Sequence, residues 1–109
     1  MRVTSEFWVS AYVRRCNGEG AFAVVQRRGF AEAGAIFVVL DDLRGNCTLF
    51  GGSAQSLYDD EGGRTFTAIE GPGDCAIAAS RLQREIGFDP DTWIVAVEDR
   101  AGRHFLDLK

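Results

Sequence analysis

Apolar positions along this chain change period several times. Over residues 5–17, Phe7, Trp8, Ala11, Tyr12 and Cys16 recur at i, i+3, i+4 spacing and predict a helix. The alternative is a strand, because Phe7, Trp8, Val9, Tyr12 and Val13 all have high strand propensity. Thr4 or Ser5 can cap the helix and Asn17-Gly18 can end it. The apolar arc is wide, so a deeply buried helix is expected, with Arg15 inside the arc and partly buried.

Strand patterns follow over 22–28, 35–40, 47–50 and 65–69. The 35–40 run is apolar on both faces, which predicts a central strand covered on both sides. Residues 29–34 and 41–46 read as turns, and 51–64 as a long polar loop of the kind that is functional or mobile. Gly71-Pro72-Gly73-Asp74 breaks the chain and caps a helix over 75–86. Cys75, Ala78, Ala79, Leu82 and Ile86 form its buried stripe, Arg84 complements its dipole, and Gly87 stops it. A strand over 93–98, a hairpin turn over 99–103 and a short strand within 104–108 close the chain. Short links between consecutive strands predict an antiparallel meander. The expected fold is therefore α+β, a single domain over residues 1–109, with a mainly antiparallel sheet of four to six strands packed by two α-helices.

Composition narrows the function classes. The 109 residues are 46 % hydrophobic and 26 % charged, ordinary values for a globular chain. The formal net charge of −4 argues against generic nucleic-acid binding, which relies on neutralising phosphates. No signal sequence or apolar span long enough for a bilayer is present, so a soluble cytoplasmic protein is expected. The three cysteines, Cys16, Cys47 and Cys75, form no C-x-x-C, and an odd count predicts reduced thiols.

Several segments together form a recognisable set. They are Trp8-Val9, Ala11-Tyr12 and Arg14-Arg15, then Arg27-Arg28-Gly29 and Gly34-Ala35-Ile36. Phe88-Asp89-Pro90-Asp91 with Trp93 follows, and then Glu98-Asp99-Arg100 with Gly102-Arg103. With these segments the chain resembles an uncharacterised alphaproteobacterial family of short proteins, domain of unknown function 1491, and the resemblance implies a bacterial protein. It implies no activity and supplies no catalytic residues.

Candidate chemistry rests first on two arginine doublets. Neighbours on a strand point to opposite faces, so Arg27 and Arg28 cannot serve one site together. Arg15 is expected either to pair with Glu98, Asp99 or another carboxylate, or to form an anion site with Arg27 or Arg28. The ion pair is the favoured reading, since buried charges are normally paired. Cys75 sits where a helix dipole would stabilise a thiolate, but the neighbouring Asp74 opposes it and the buried stripe absorbs it. His104, the sole histidine, reads as a surface residue by a turn. Asp41-Asp42 and Asp59-Asp60-Glu61 read as solvated acidic loops. No close Cys/His spacing indicates a metal, and no cofactor is expected. Ile77 projects with Arg81 and Arg84 opposite the buried stripe, a candidate interaction face.

Three readings follow, in order. The first is a non-catalytic interaction or accessory module with a protein partner or in a homodimer, without nucleic acid or membrane. The second is a binder of a small anion or nucleotide through Arg15 with Arg27 or Arg28. The third is a thiol-dependent enzyme.

Overall fold

The computed structural model describes residues 3–52 and 64–109. The acidic run at 59–61 and most of the loop expected over 51–64 lie outside the described residues. Two helices, α1 (Ser5–Gly18) and α2 (Cys75–Phe88), pack on a sheet of β1 (Phe22–Arg27), β2 (Ile36–Asp41), β3 (Asn46–Gly52), β4 (Thr65–Asp74), β5 (Trp93–Glu98) and β6 (Asp107–Leu108). This is an α+β domain with a six-stranded sheet in the order β1-β5-β2-β3-β4-β6.

The expected meander holds only for β2-β3-β4, which pair antiparallel. β5 inserts between β1 and β2, antiparallel to the first and parallel to the second, so the sheet is mixed. The cause is the crossover through α2, which returns the chain to the far side of β2 in the direction of β2. The turn at 99–103 is not a hairpin either. The chain passes beneath α1, burying Leu106, and β6 adds parallel to β4.

β2 alternates as expected of a central strand. Ile36, Val38 and Leu40 enter the core under α1, and Phe37 and Val39 pack on the α2 side. A fully buried Val or Leu contributes about 1.5–3 kcal/mol, so this strand anchors both layers. β4 runs through the Gly-Pro-Gly break to Asp74, with a cis Gly71–Pro72 bond and register shifts against β3. Asp74 caps α2 by accepting from the Ala76 amide at 2.9 Å. α2 continues past Gly87 to Phe88. Its buried positions are Ala78 and Leu82, while Cys75 and Ile86 are half-buried and Ala79 is exposed.

α1 is a helix, capped by the Thr4 hydroxyl on the Phe7 amide at 3.1 Å. Its inward stripe is Ser5, Val9, Tyr12 and Cys16, not the wider arc the sequence suggests. Phe7 and Ala11 face out, and Arg15 is exposed rather than partly buried. The physical reason is the surface beneath it. The helix rests chiefly on β1 and the residue before it, where the small Ala21 and Ala23 admit one narrow ridge, and Asn17 clamps the Ala23 backbone through two hydrogen bonds.

Candidate functional site

The N-terminal ends of β2 and β5, the C-terminal end of β1, the start of α1 and the end of α2 meet at one edge of the sandwich. Gly29 and Gly34 both press against the Asp91 carbonyl, and a Cβ at either position would overlap it. A glycine is required at each by close backbone approach. The Phe30 amide donates to the Asp91 carbonyl at 2.9 Å, and the buried Trp93 indole donates to the Phe30 carbonyl at 2.8 Å. α1 is tied to the same loop, with Ser5 Oγ donating to the Gly34 carbonyl at 2.6 Å and the Glu6 amide donating to the Ala31 carbonyl at 2.9 Å.

Phenylalanines stand outward on this rigid frame. Phe7 is 62 % exposed, Phe30 52 % and Phe88 85 %. Phe30 is bonded to Asp91, three residues beyond Phe88, and Phe7 adjoins the Glu6 that bonds the same loop. The three thus stand on segments that converge on one end of the sheet, Phe7 on the α1 side and Phe88 on the α2 side.

Both residues of the second arginine doublet are engaged at this end. Arg27 donates to the Pro90 carbonyl at 2.9 Å, and Arg28 pairs with Glu6 and lies 4.9 Å from the centre of the Trp93 ring. Arg15 lies nine residues beyond Glu6 on α1, which at helical rise is about 13 Å along the axis. The structure thus does not bring Arg15 to Arg27 or Arg28. Arg15 instead lines a shallow cleft of about 240 Å³ with Trp8, Tyr12, Arg64 and Phe105. Asp99, one of the carboxylates expected to pair with it, is taken by Arg103 in a two-bond pair at 2.8 and 3.0 Å. That pairing, with the Arg103 amide, draws the Asp99 carboxyl down to about 2.

The opposite end of the sheet holds the sulfur chemistry. Cys47 near the start of β3 and Cys75 at the first position of α2 form a disulfide with Cα atoms 4.7 Å apart, so the expectation of reduced thiols is corrected here. The topology makes the bond possible, because β4 runs antiparallel to β3 and delivers Cys75 beside Cys47. Asp41 is the cross-strand partner of Cys47 on β2, and its carboxylate lies within 4.8 Å of both sulfurs. The adjacent Asp42 is a turn residue that accepts from the Arg44 and Asn46 amides at 2.8 and 3.1 Å. Those backbone contacts, Arg44 first, lower its carboxyl below the usual range. Cys16 is the free thiol, fully buried on the inward face of α1, where burial pushes its pKa up and leaves it inert.

The profile of the family described as "Protein of unknown function (DUF1491)" matches residues 3–107. The chain belongs to the DUF1491 family. A crystal structure of a DUF1491 protein from Caulobacter crescentus is similar to it at 34 % identity and a TM-score of 0.86, covering 100 % of this chain and 99 % of that one. A solution structure of a protein from A. tumefaciens is similar at 39 % identity and a TM-score of 0.79, covering 90 % and 86 %. An NMR structure of a Caulobacter crescentus DUF1491 protein gives 34 % identity and a TM-score of 0.83. No curated protein matches the chain.

The segments that carry the DUF1491 resemblance acquire physical roles. Arg27-Arg28-Gly29, Gly34 and Asp89 to Trp93 form the clamp at the aromatic end. Asp99 and Arg103 close the turn after β5. His104 is structural rather than a surface residue. Its Nδ1 accepts from the Leu106 amide at 2.9 Å, its carbonyl accepts from the Tyr12 hydroxyl at 2.6 Å, and its ring packs 5.3 Å from Phe50. Burial raises the Tyr12 pKa well above that of a free phenol. On α2, Ile77 is exposed as expected, but Arg81 is turned to Glu85 at 2.9 Å and the Ile69 carbonyl at 3.4 Å. Sequence reasoning missed the phenylalanine grouping and the Asp41-Cys47-Cys75 cluster. An isolated exposed Phe carries no signal, and the cluster is assembled only by strand pairing.

Among the described residues, no helix is long and apolar enough to cross a membrane.

Proposed function

We propose that this DUF1491 protein is a protein-interaction module that docks a partner through the end carrying Phe7, Phe30 and Phe88. The observation that carries the reading is the exposure of three phenylalanines on backbone that hydrogen bonds hold in place. Covering such a ring recovers about 2 kcal/mol, and a preorganised frame spares the ordering cost of binding. Aromatic anchors set among charged groups are the usual core of a binding hot spot, and here Glu6, Arg28 and Asp89 supply the charged surround. Catalysis is no part of this reading. The Ile77 face of α2 is weaker, because its Arg81 is held by Glu85 and Glu70.

The test is a photo-crosslinking amino acid placed at position 88 and, separately, at position 77, in an alphaproteobacterial host. The expected result is one protein crosslinked from position 88 and lost when Phe30→Ser is added. A second copy of the chain as the crosslinked species would identify a homodimer at the same end. Crosslinking from position 77 alone moves the interaction to α2, and none from position 88 overturns the proposal.

A further inference from the structure

We propose that reduced Cys47 and Cys75, together with Asp41, form a binding site for one thiophilic divalent cation of the Zn²⁺ class, closed whenever the disulfide forms.

The geometry begins with strand pairing. Asp41 and Cys47 are directly opposed on β2 and β3, so their side chains share one face of the sheet. Cys75 enters from the first position of α2, and the three ligand atoms lie within 4.8 Å of one another. Ligands around tetrahedral Zn²⁺ at about 2.0–2.3 Å stand roughly 3.3–3.8 Å apart. Opening the disulfide and turning the two thiols is therefore enough to seat an ion, with no rearrangement of the fold.

The electrostatics favour a soft cation. Two thiolates and a carboxylate carry three negative charges, and no ion pair among the described residues engages Asp41. The N-terminus of α2 favours the Cys75 thiolate. One Asp41 oxygen accepts from the Leu43 amide at 2.7 Å, which orients the carboxylate and leaves its other oxygen for the ion. Thiolate ligands select Zn²⁺ over Mg²⁺ and Ca²⁺. Cys47 is buried while Asp41 and Cys75 are half-buried, so one side of the cluster is open to solvent and a water can take the fourth position.

The chemistry balances in two steps. A thiol reductant gives two electrons and two protons to the Cys47–Cys75 bond and becomes a disulfide itself. The cation then displaces both thiol protons to solvent as two metal–sulfur bonds form. Disulfide and bound metal are mutually exclusive, because both use the same two sulfurs.

The experiment uses the whole chain, reduced and kept anaerobic, titrated with Co²⁺ as a spectroscopic probe and then with Zn²⁺. The expected result is a thiolate-to-cobalt absorption that saturates at one ion per chain and is displaced by Zn²⁺. The oxidised protein gives no such band. Cys47→Ser and Cys75→Ser should abolish it, Cys16→Ser should keep it, and Asp41→Asn should weaken affinity by about tenfold or more. Absence of the band in the reduced wild type overturns the proposal without recourse to any variant. So does a band that survives Cys47→Ser, or an affinity unchanged in Asp41→Asn.

Discussion

At one end of the sheet, loops are locked by backbone packed against backbone through Gly29 and Gly34, with Trp93 as the central bolt. At the other end, β3 and the start of α2 are joined by a single covalent bond beside a carboxylate. The first arrangement is spread over many short contacts and has no switch in it. The second concentrates its constraint in one bond that a reductant can remove. A rigid platform suits the presentation of exposed phenylalanines, whereas a removable bond suits a site that changes state.

The comparison is broken most severely by removing Trp93. Trp93→Ala should cost about 4 kcal/mol, from lost burial and the cavity left behind, a large share of the 5–15 kcal/mol typical of a domain. Urea denaturation measures it. Trp93→Phe keeps most of the ring volume but loses the indole bond to the Phe30 carbonyl, which still accepts from the Gly34 amide, and should cost about 1 kcal/mol. A cost for Trp93→Ala no larger than for Trp93→Phe would mean that the aromatic end is not locked through this residue.

Reducing Cys47–Cys75 should cost about 3.5 kcal/mol, the loop-closure value for cysteines separated by 28 residues. The readout is a thermal melt with and without reductant, in a metal chelator. Amide exchange in the loops of the Phe88 end should not change on reduction, because among the described residues their hydrogen bonds join only groups of that end. Equal loss of protection at both ends would show them to be one cooperative unit.

The backbone frame of the aromatic end was legible before the structure, though not the phenylalanines it carries, and little of the sulfur end was. Local signals specify the first: Gly29 and Gly34 bracket a turn, Asp89-Pro90-Asp91 makes another, and the apolar 35–40 run announces a central strand. The helices and their caps were legible for the same reason, since Thr4 and Asp74 act on amides two or three residues away. What pairing alone decides was not. The parallel register of β2 with β5 sets residues 36–41 beside 93–98 with no trace in either segment. The approach of Asp41, Cys47 and Cys75 depends on three strands and a helix start. Likewise, a helical wheel ranks positions by their own polarity, and the narrow alanine surface beneath α1 chose Val9, Tyr12 and Cys16 over Phe7 and Ala11.

Acid sharpens the comparison at the sulfur end. Asp99 titrates at about 2 in the folded protein, below its unfolded value of about 3.9. A carboxylate with a depressed folded pKa contributes stability that is present above the unfolded value and lost as pH falls through the folded one. Stability should therefore decline between about pH 4 and pH 2, and the decline should be shallower in Arg103→Ala. Chemical denaturation across that range, in both proteins, measures the difference. Parallel curves would remove Arg103 as the source of the shift.

The smallest effects separate the two arginine doublets. Arg28→Ala loses an exposed ion pair with Glu6 and a cation–π contact with Trp93, together about 1 kcal/mol. Arg14→Ala and Arg15→Ala should each stay within about 0.5 kcal/mol of wild type, as exposed positions do. The wheel reading of α1 instead has Arg15→Ala clearly worse than Arg14→Ala. Urea midpoints for the three variants decide between them, and the order matters more than the size. If Arg15→Ala fell below Arg28→Ala, the cleft that Arg15 lines beside Trp8 and Tyr12 would be holding its guanidinium, and the outward placement of that side chain would be the error.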